Sequence, residues 1–264
     1  MTGRARDALP RPSGRPYLCR VFSQRLVVVG DAHIGRESPD TTAALVAFLD
    51  AVPALGDGLL VTGDLFEFWF AYDRVVPRHG ITALAALAHL ARRMPVLLLG
   101  GNHDRYAGTF WERELGIRFA PHEARFTLDG RPALALHGDG LSDSHWSARA
   151  LHRVLRHDTT VALYRTLHPD LGMWLVDRLS RYLGDRERTE AEVQEGVSRQ
   201  AAWAAARMDA EPDLRLVVMG HTHRPATSVT VAGGLYVNPG AWFDGYRYAV
   251  VAGGAATLHQ FRPA

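Results

Sequence analysis

Five short apolar runs, each ending in a polar cluster that contains glycine, constrain this 264-residue chain more than any other feature. Leu26–Val29 runs into Gly30-Asp31-Ala32-His33, Leu59–Val61 into Gly63-Asp64, and Val96–Leu99 into Gly100-Gly101-Asn102-His103-Asp104. Ala133–Leu136 then runs into His137-Gly138-Asp139, and Leu216–Met219 into Gly220-His221-Thr222-His223. Runs this short and this apolar predict strands buried on both faces, as in a sheet covered by helices. Between the first three, Thr41–Leu55 and Ile81–Arg93 carry apolar residues at helical spacing. Alternating buried strands and helices mean an α/β architecture, which places its sites at the C-terminal ends of strands.

The stretch 142–212 reads differently, as a helical insertion between the fourth and fifth motifs. Its candidate helices are Ala148–Arg156, Val161–Leu167, Leu171–Leu183 and Thr189–Met208. Closing strands are expected at Leu235–Asn238, Tyr246–Val251 and Thr257–Phe261. Residues 1–20 are rich in Arg and Pro, lack the apolar segment of a secretory signal, and read as a disordered tail before a domain spanning 21–264.

Composition narrows the function. Net charge is +2, so a general nucleic-acid coat is not expected. All 30 basic residues are arginine. No apolar stretch approaches 18 residues, and the single cysteine, Cys19, excludes an intramolecular disulfide. These features suit a cytoplasmic protein, and no protein partner is implied.

The five strand ends gather groups able to bind divalent ions. Asp31 and His33, two apart, would point the same way along a regular strand. Asp64 can bridge two ions with its two oxygens, Asn102 offers a carbonyl oxygen, and His137, His221 and His223 offer imidazole nitrogens. This oxygen and nitrogen set without sulfur suits Mn, Fe, Zn or Co. Two ions about 3.5–4 Å apart can clamp a phosphoryl group and activate water. His103 is then the candidate general acid, with Asp104 placed to orient and charge it.

The ordered motifs Gly30-Asp31-Ala32-His33, Gly63-Asp64-Leu65-Phe66-Glu67, Gly101-Asn102-His103-Asp104, His137-Gly138-Asp139 and Gly220-His221-Thr222-His223 resemble those of the calcineurin-like metallophosphoesterase family. The resemblance implies a four-layer α/β/β/α sandwich with two metal sites. One would use Asp31, His33, Asp64 and His223, the other Asp64, Asn102, His137 and His221. Within that family, Gly63–Trp69, His221–Pro225 and Gly240-Ala241-Trp242 are similar to the UDP-2,3-diacylglucosamine pyrophosphatases of lipid A synthesis, which give UMP and lipid X, typically with manganese. Those enzymes carry Gly-Asn-Arg-Asp where this chain has Gly101-Asn102-His103-Asp104. Arg105, Arg149, Arg153 or Arg224 could supply charge to the diphosphate in place of that arginine.

Leu171, Leu175, Leu179 and Leu183 recur every four residues, near Trp174 and Tyr182. That helix either packs on the domain or forms an apolar lid that holds acyl chains at the cytoplasmic face of a membrane. Trp69 and Phe70, just after a ligand motif, are either a substrate wall or core.

Overall fold

A computed structural model describes residues 18–22, 24–69, 75–104, 109–141, 163–164, 166–184 and 189–263. Two six-stranded sheets face each other. The first has the order β12-β11-β2-β3-β4-β5, built from β2 (Arg25–Val29), β3 (Gly58–Val61), β4 (Val96–Leu99), β5 (Arg118–Ala120), β11 (Arg247–Ala252) and β12 (Ala255–Gln260). The second has the order β1-β6-β7-β8-β10-β9, built from β1 (Leu18–Phe22), β6 (Glu123–Leu128), β7 (Arg131–Leu136), β8 (Leu216–Val218), β9 (Ala226–Val229) and β10 (Leu235–Asn238). Strands β2 to β5 are parallel, as are β7, β8 and β10.

Helices α1 (Pro39–Leu55), α2 (Ile81–Ala91) and α3 (Phe110–Leu115) cover the outer face of the first sheet. Helix α5 (Glu190–Ala210) covers the second, through Ala204 and Met208 against Leu134, Val217 and Tyr236. The layers are therefore α/β/β/α, as the resemblance implied.

Strand periodicity explains why the central runs are apolar throughout. In β2, Val27 and Val29 join the helix-facing cluster while Leu26 and Val28 join the cluster between the sheets. In β8, Leu216 and Val218 face the other sheet and Val217 faces α5. Each strand is thus covered by a sheet on one side and by helices on the other, not by helices on both. Side chains alternating every residue then need apolar atoms at every position.

Three boundaries differ from the sequence reading. Strand β1 pairs parallel with β6, so Leu18, Cys19 and Arg20, placed in the expected tail, lie in a strand. Strands β6 and β7 form a hairpin over Asp129-Gly130, both with left-handed φ (52° and 71°), a two-residue turn signal that the sequence does carry. Helix α5 is part of the sandwich, so only the portion of 142–212 before it is additional to the four layers. That portion includes α4 (Pro169–Gly184), where the expected Leu171–Leu183 helix lies. The helix expected at Ala148–Arg156 lies outside the described residues, as do Val161, Ala162 and Arg165 of the one expected at Val161–Leu167. Among the described residues, no helix is long and apolar enough to cross a membrane.

Candidate metal centre

All five ligand motifs follow the C-terminal ends of parallel strands: β2, β3 and β4 in the first sheet, β7 and β8 in the second. The structure gathers the seven expected ligands. Asp31, His33 and His223 form one group, and Asp64, His137 and His221 another, the donor atoms in each lying within 4.8 Å of one another. Asn102 joins the second group through its Oδ1, 3.1 Å from His137 Nε2.

Regular strand geometry is not what aims these side chains. Strand β2 ends at Val29, and Asp31, His33, Asp64, His221 and His223 all have left-handed φ, between 45° and 70°. Few non-glycine residues adopt this conformation, and clusters of it mark functional loops. Hydrogen bonds hold the strained backbone. The amides of Ala32 and His33 donate to the Asp64 carbonyl, and the His221 amide donates to both Asp31 carboxylate oxygens at 3.2 and 3.1 Å. Gly101 packs against Asp64 so closely that any side chain there would meet the carboxylate.

Asp64 sits between the two groups. Its Oδ1 accepts from the His103 amide at 2.9 Å, which leaves Oδ2 facing His137 Nε2 at 3.1 Å and His33 Nε2 at 3.9 Å. Oδ2 is therefore the oxygen that would serve both groups, where two were expected, because a backbone donor holds the other.

Supporting groups fix the imidazoles. His137 Nδ1 donates to the Thr62 carbonyl at 2.8 Å, so Nε2 is the nitrogen turned toward the second group. His33 Nδ1 donates to Glu67 Oε2 at 2.7 Å, which turns Nε2 inward. Such carboxylate–histidine pairs orient metal ligands and raise their basicity. Glu67, quoted in the motif but given no role there, is the residue the sequence reading missed; its spacing of three from Asp64 was the available signal. Burial opposes ionisation of Glu67, yet the bond from His33 and the charges of His103 and Arg36 hold it below the usual carboxylate range. The Phe243 ring, also missed, stands edge-on to His33 (5.5 Å) and His223 (4.9 Å).

These residues fit divalent ions. His33 Nε2 is buried and has no hydrogen-bond partner. His137 Nε2 meets Asp64 Oδ2, Asn102 Oδ1 and His221 Nδ1 at 3.1–3.2 Å, a crowd of ligand atoms that needs a cation or a proton among them. Burial lowers the His137 pKa, but the carboxylates of Asp64 and Asp31 outweigh it and push it up to about 10. A divalent ion would displace that proton.

The two expected catalytic residues separate in role. His103 is partly exposed beside His33 (ring centroids 4.9 Å apart), and its Nδ1 donates to the Glu67 carbonyl at 2.7 Å. Nε2 is then its only nitrogen able to exchange a proton with substrate. Asp104 does not orient His103. Its Oδ1 accepts from Gly101 (2.8 Å) and Asp64 (3.2 Å), and its Oδ2 from Leu65 (2.7 Å) and Phe66 (3.4 Å), all through backbone amides. It pins the second and third ligand loops together.

The expected substrate contacts fare unevenly. Trp69 is fully buried among Phe66, Phe110 and Trp111, so its side chain is core and not a substrate wall. Arg224 is paired with Glu190 at 2.6 Å, at the start of α5. Arg105, Arg149, Arg153 and Phe70 lie outside the described residues.

Comparison with known proteins identifies the family of this chain. A profile of the calcineurin-like phosphoesterase family matches residues 24–225. A UDP-2,3-diacylglucosamine hydrolase of Stutzerimonas stutzeri is 28% identical over 212 residues, covering 76% of this chain and 83% of that protein. Another, from Pseudomonas paraeruginosa, is 30% identical over 213 residues, covering 76% and 82%. Among solved structures, the E. coli phosphoesterase Yfce overlaps 87% of this chain and 88% of its own, with a TM-score of 0.42 and 13% identity. With its motifs, its layers and its ligand geometry in agreement, the chain belongs to the calcineurin-like phosphoesterase family.

Proposed function

We propose that this phosphoesterase hydrolyses the diphosphate of UDP-2,3-diacylglucosamine to UMP and lipid X, with two divalent ions, manganese foremost. The observation that carries the proposal is a full seven-residue ligand set in a chain that matches UDP-2,3-diacylglucosamine hydrolases over about three quarters of its length. The apolar surface of the additional segment supports an acylated substrate. Leu163, Leu171, Trp174 and Leu175 are all exposed, and Tyr164 meets Phe68 beside the second motif (ring centroids 5.8 Å apart). The same surface suits peripheral contact with a membrane.

Asp31, His33, Asp64 and His223 would hold one ion, and Asp64, Asn102, His137 and His221 the other. Bound there, the ions supply Lewis acidity that neutralises phosphoryl oxygens and activates water. The chain's own groups do the rest. Glu67 holds the His33 and His103 rings in register, and Asp104 fixes the loops that carry Asp64 and Asn102. His103 Nε2 gives a proton to the departing phosphate oxygen and is left neutral, its Nδ1–H still on Glu67.

A second reading, a metallophosphodiesterase of nucleotides or other small phosphoesters, is favoured by His103 in place of the arginine and by the engagement of Arg224 with Glu190. The test incubates manganese-loaded protein with UDP-2,3-diacylglucosamine and follows UMP, then repeats it over an acyl-chain series at fixed detergent. Each buried CH₂ contributes about 0.8 kcal/mol, so kcat/KM should fall steeply as chains shorten. A flat series down to deacylated UDP-glucosamine would hand the function to the second reading.

A further inference from the structure

We propose that Gln200 is a positioning residue for the metal group formed by Asp64, Asn102, His137 and His221, an inference that rests on the two-ion reading above. Gln200 lies on α5 in a buried stripe with Gly196, Ala204 and Met208, four residues apart. The small neighbours bring the helix close to the second sheet. At that distance a single polar side chain, fully buried, reaches the loops after β7 and β8.

Its orientation is set by its neighbours. Nε2 donates to the Gly220 carbonyl (3.1 Å) and the Gly138 carbonyl (3.4 Å). Oε1 accepts from the Tyr236 hydroxyl (3.0 Å) and from Asn238 Nδ2 (3.3 Å). Two donors and two acceptor sites are all that a side-chain amide offers, so the group is saturated. Gly138 follows the ligand His137, and Gly220 precedes the ligand His221. The Gly220 amide also donates to the His137 carbonyl at 3.0 Å, tying the two loops to each other. Gly138 has a left-handed φ of 100°, and a side chain on it would run into the Gln200 amide. The amide thus grips both carbonyls from behind, while the imidazoles of His137 and His221 project forward to Asp64 and Asn102.

A helix that is merely packed here needs no donor at this point. The Gly220 carbonyl also accepts from Asn238 Nδ2 and from the Thr222 amide, both at 2.9 Å, and the Gly138 carbonyl from the Leu141 amide at 3.3 Å, but Gln200 is the side chain that joins the two carbonyls to each other. Without Gln200 the two loops lose one of the links between them, and the ligand rings shift with the loops.

The test strips the protein of metal, titrates it with manganese(II), and counts ions and affinities in wild type, Gln200→Met, Gln200→Glu and Tyr236→Phe. Met keeps the length of the side chain and removes its hydrogen bonds. Glu keeps the contacts from Tyr236 and Asn238 and removes the donors, and it decides the matter if the Met variant fails to fold. Both variants should weaken one of the two ions about 10–100-fold, with the other changed less than about twofold. Tyr236→Phe, which leaves the carbonyl contacts intact, should keep both. Equal weakening of both ions, no weakening of either, or a Tyr236→Phe defect as large as that of Gln200→Met overturns the inference alone. A wild type that takes up only one ion overturns the two-ion reading and this inference with it.

Discussion

At the scale of single residues, Asp64 and His103 make opposite predictions. The Oδ2 of Asp64 faces both ligand groups, so Asp64→Ala should lose both ions, read by elemental analysis of the desalted protein. A variant that keeps one ion at wild-type affinity would place the bridge elsewhere. His103 touches the centre only from its rim. His103→Ala should keep both ions and lose roughly 10²–10⁴-fold in rate, the usual range for a missing general acid. The loss should shrink for aryl phosphoesters with good leaving groups, which need little protonation. Equal losses for good and poor leaving groups would make His103 a stabiliser of phosphoryl charge instead. That these seven residues would gather was legible in the sequence, because oxygen and nitrogen donors at five strand ends suit little chemistry besides metal binding. The role of Asp104 was not legible. Its partners are four backbone amides from two loops, and no side-chain pattern announces a carboxylate that serves the backbone. Nor do residue types announce left-handed φ at Asp31 or His223, since the tertiary hydrogen bonds that hold it join residues far apart in the chain.

Among the elements, strands β2, β3, β4, β7, β8 and β10 were legible from apolar runs, since burial on both faces leaves no polar positions to interrupt them. The hairpin of β6 and β7 was half legible: β6 alternates buried and half-buried residues, but Arg125 and Glu123 mask the pattern. Its arginine is engaged, with a bidentate pair to Glu211 at 2.7 and 3.0 Å. The connections between elements carry the most consequential prediction at this scale. Asp104→Asn removes acceptors from amides that tie the loop after β3 to the loop after β4. Both carboxylate oxygens accept, and an amide nitrogen cannot replace one of them. Each bond to a buried charge contributes about 1.5–3 kcal/mol and each oxygen accepts two, so a loss of about 3–6 kcal/mol is expected, read by denaturant unfolding of the metal-free protein. Retention of full stability would mean that the loops are fixed by packing alone.

For the whole molecule, the three apolar clusters are the three interfaces between four layers, and none of them needs metal to form. The metal-free chain should therefore stay folded, but less stable. At free metal about a thousandfold above Kd, each ion contributes about 4 kcal/mol. Chelation should then lower Tm by several degrees or more without loss of secondary structure, read by calorimetry and circular dichroism. The four-layer architecture followed from the motif resemblance, whereas the strand pattern by itself suggested a single sheet covered by helices. The reason is physical: a strand buried by another sheet and one buried by helices show the same run of apolar residues.

One further consequence lies in how the ligands are divided. Asp31, His33, Asp64 and Asn102 come from loops of the first sheet, and His137, His221 and His223 from loops of the second. Each ion would thus be shared by both sheets and act as a rivet across the seam at one end of the sandwich. Amide hydrogens of β3 and β8 beside that seam should exchange with deuterated solvent more slowly once the rivets are in place. Those of β1 and β9, at the far edges, should exchange as before, so the sheets would open at their borders long before they part at the centre.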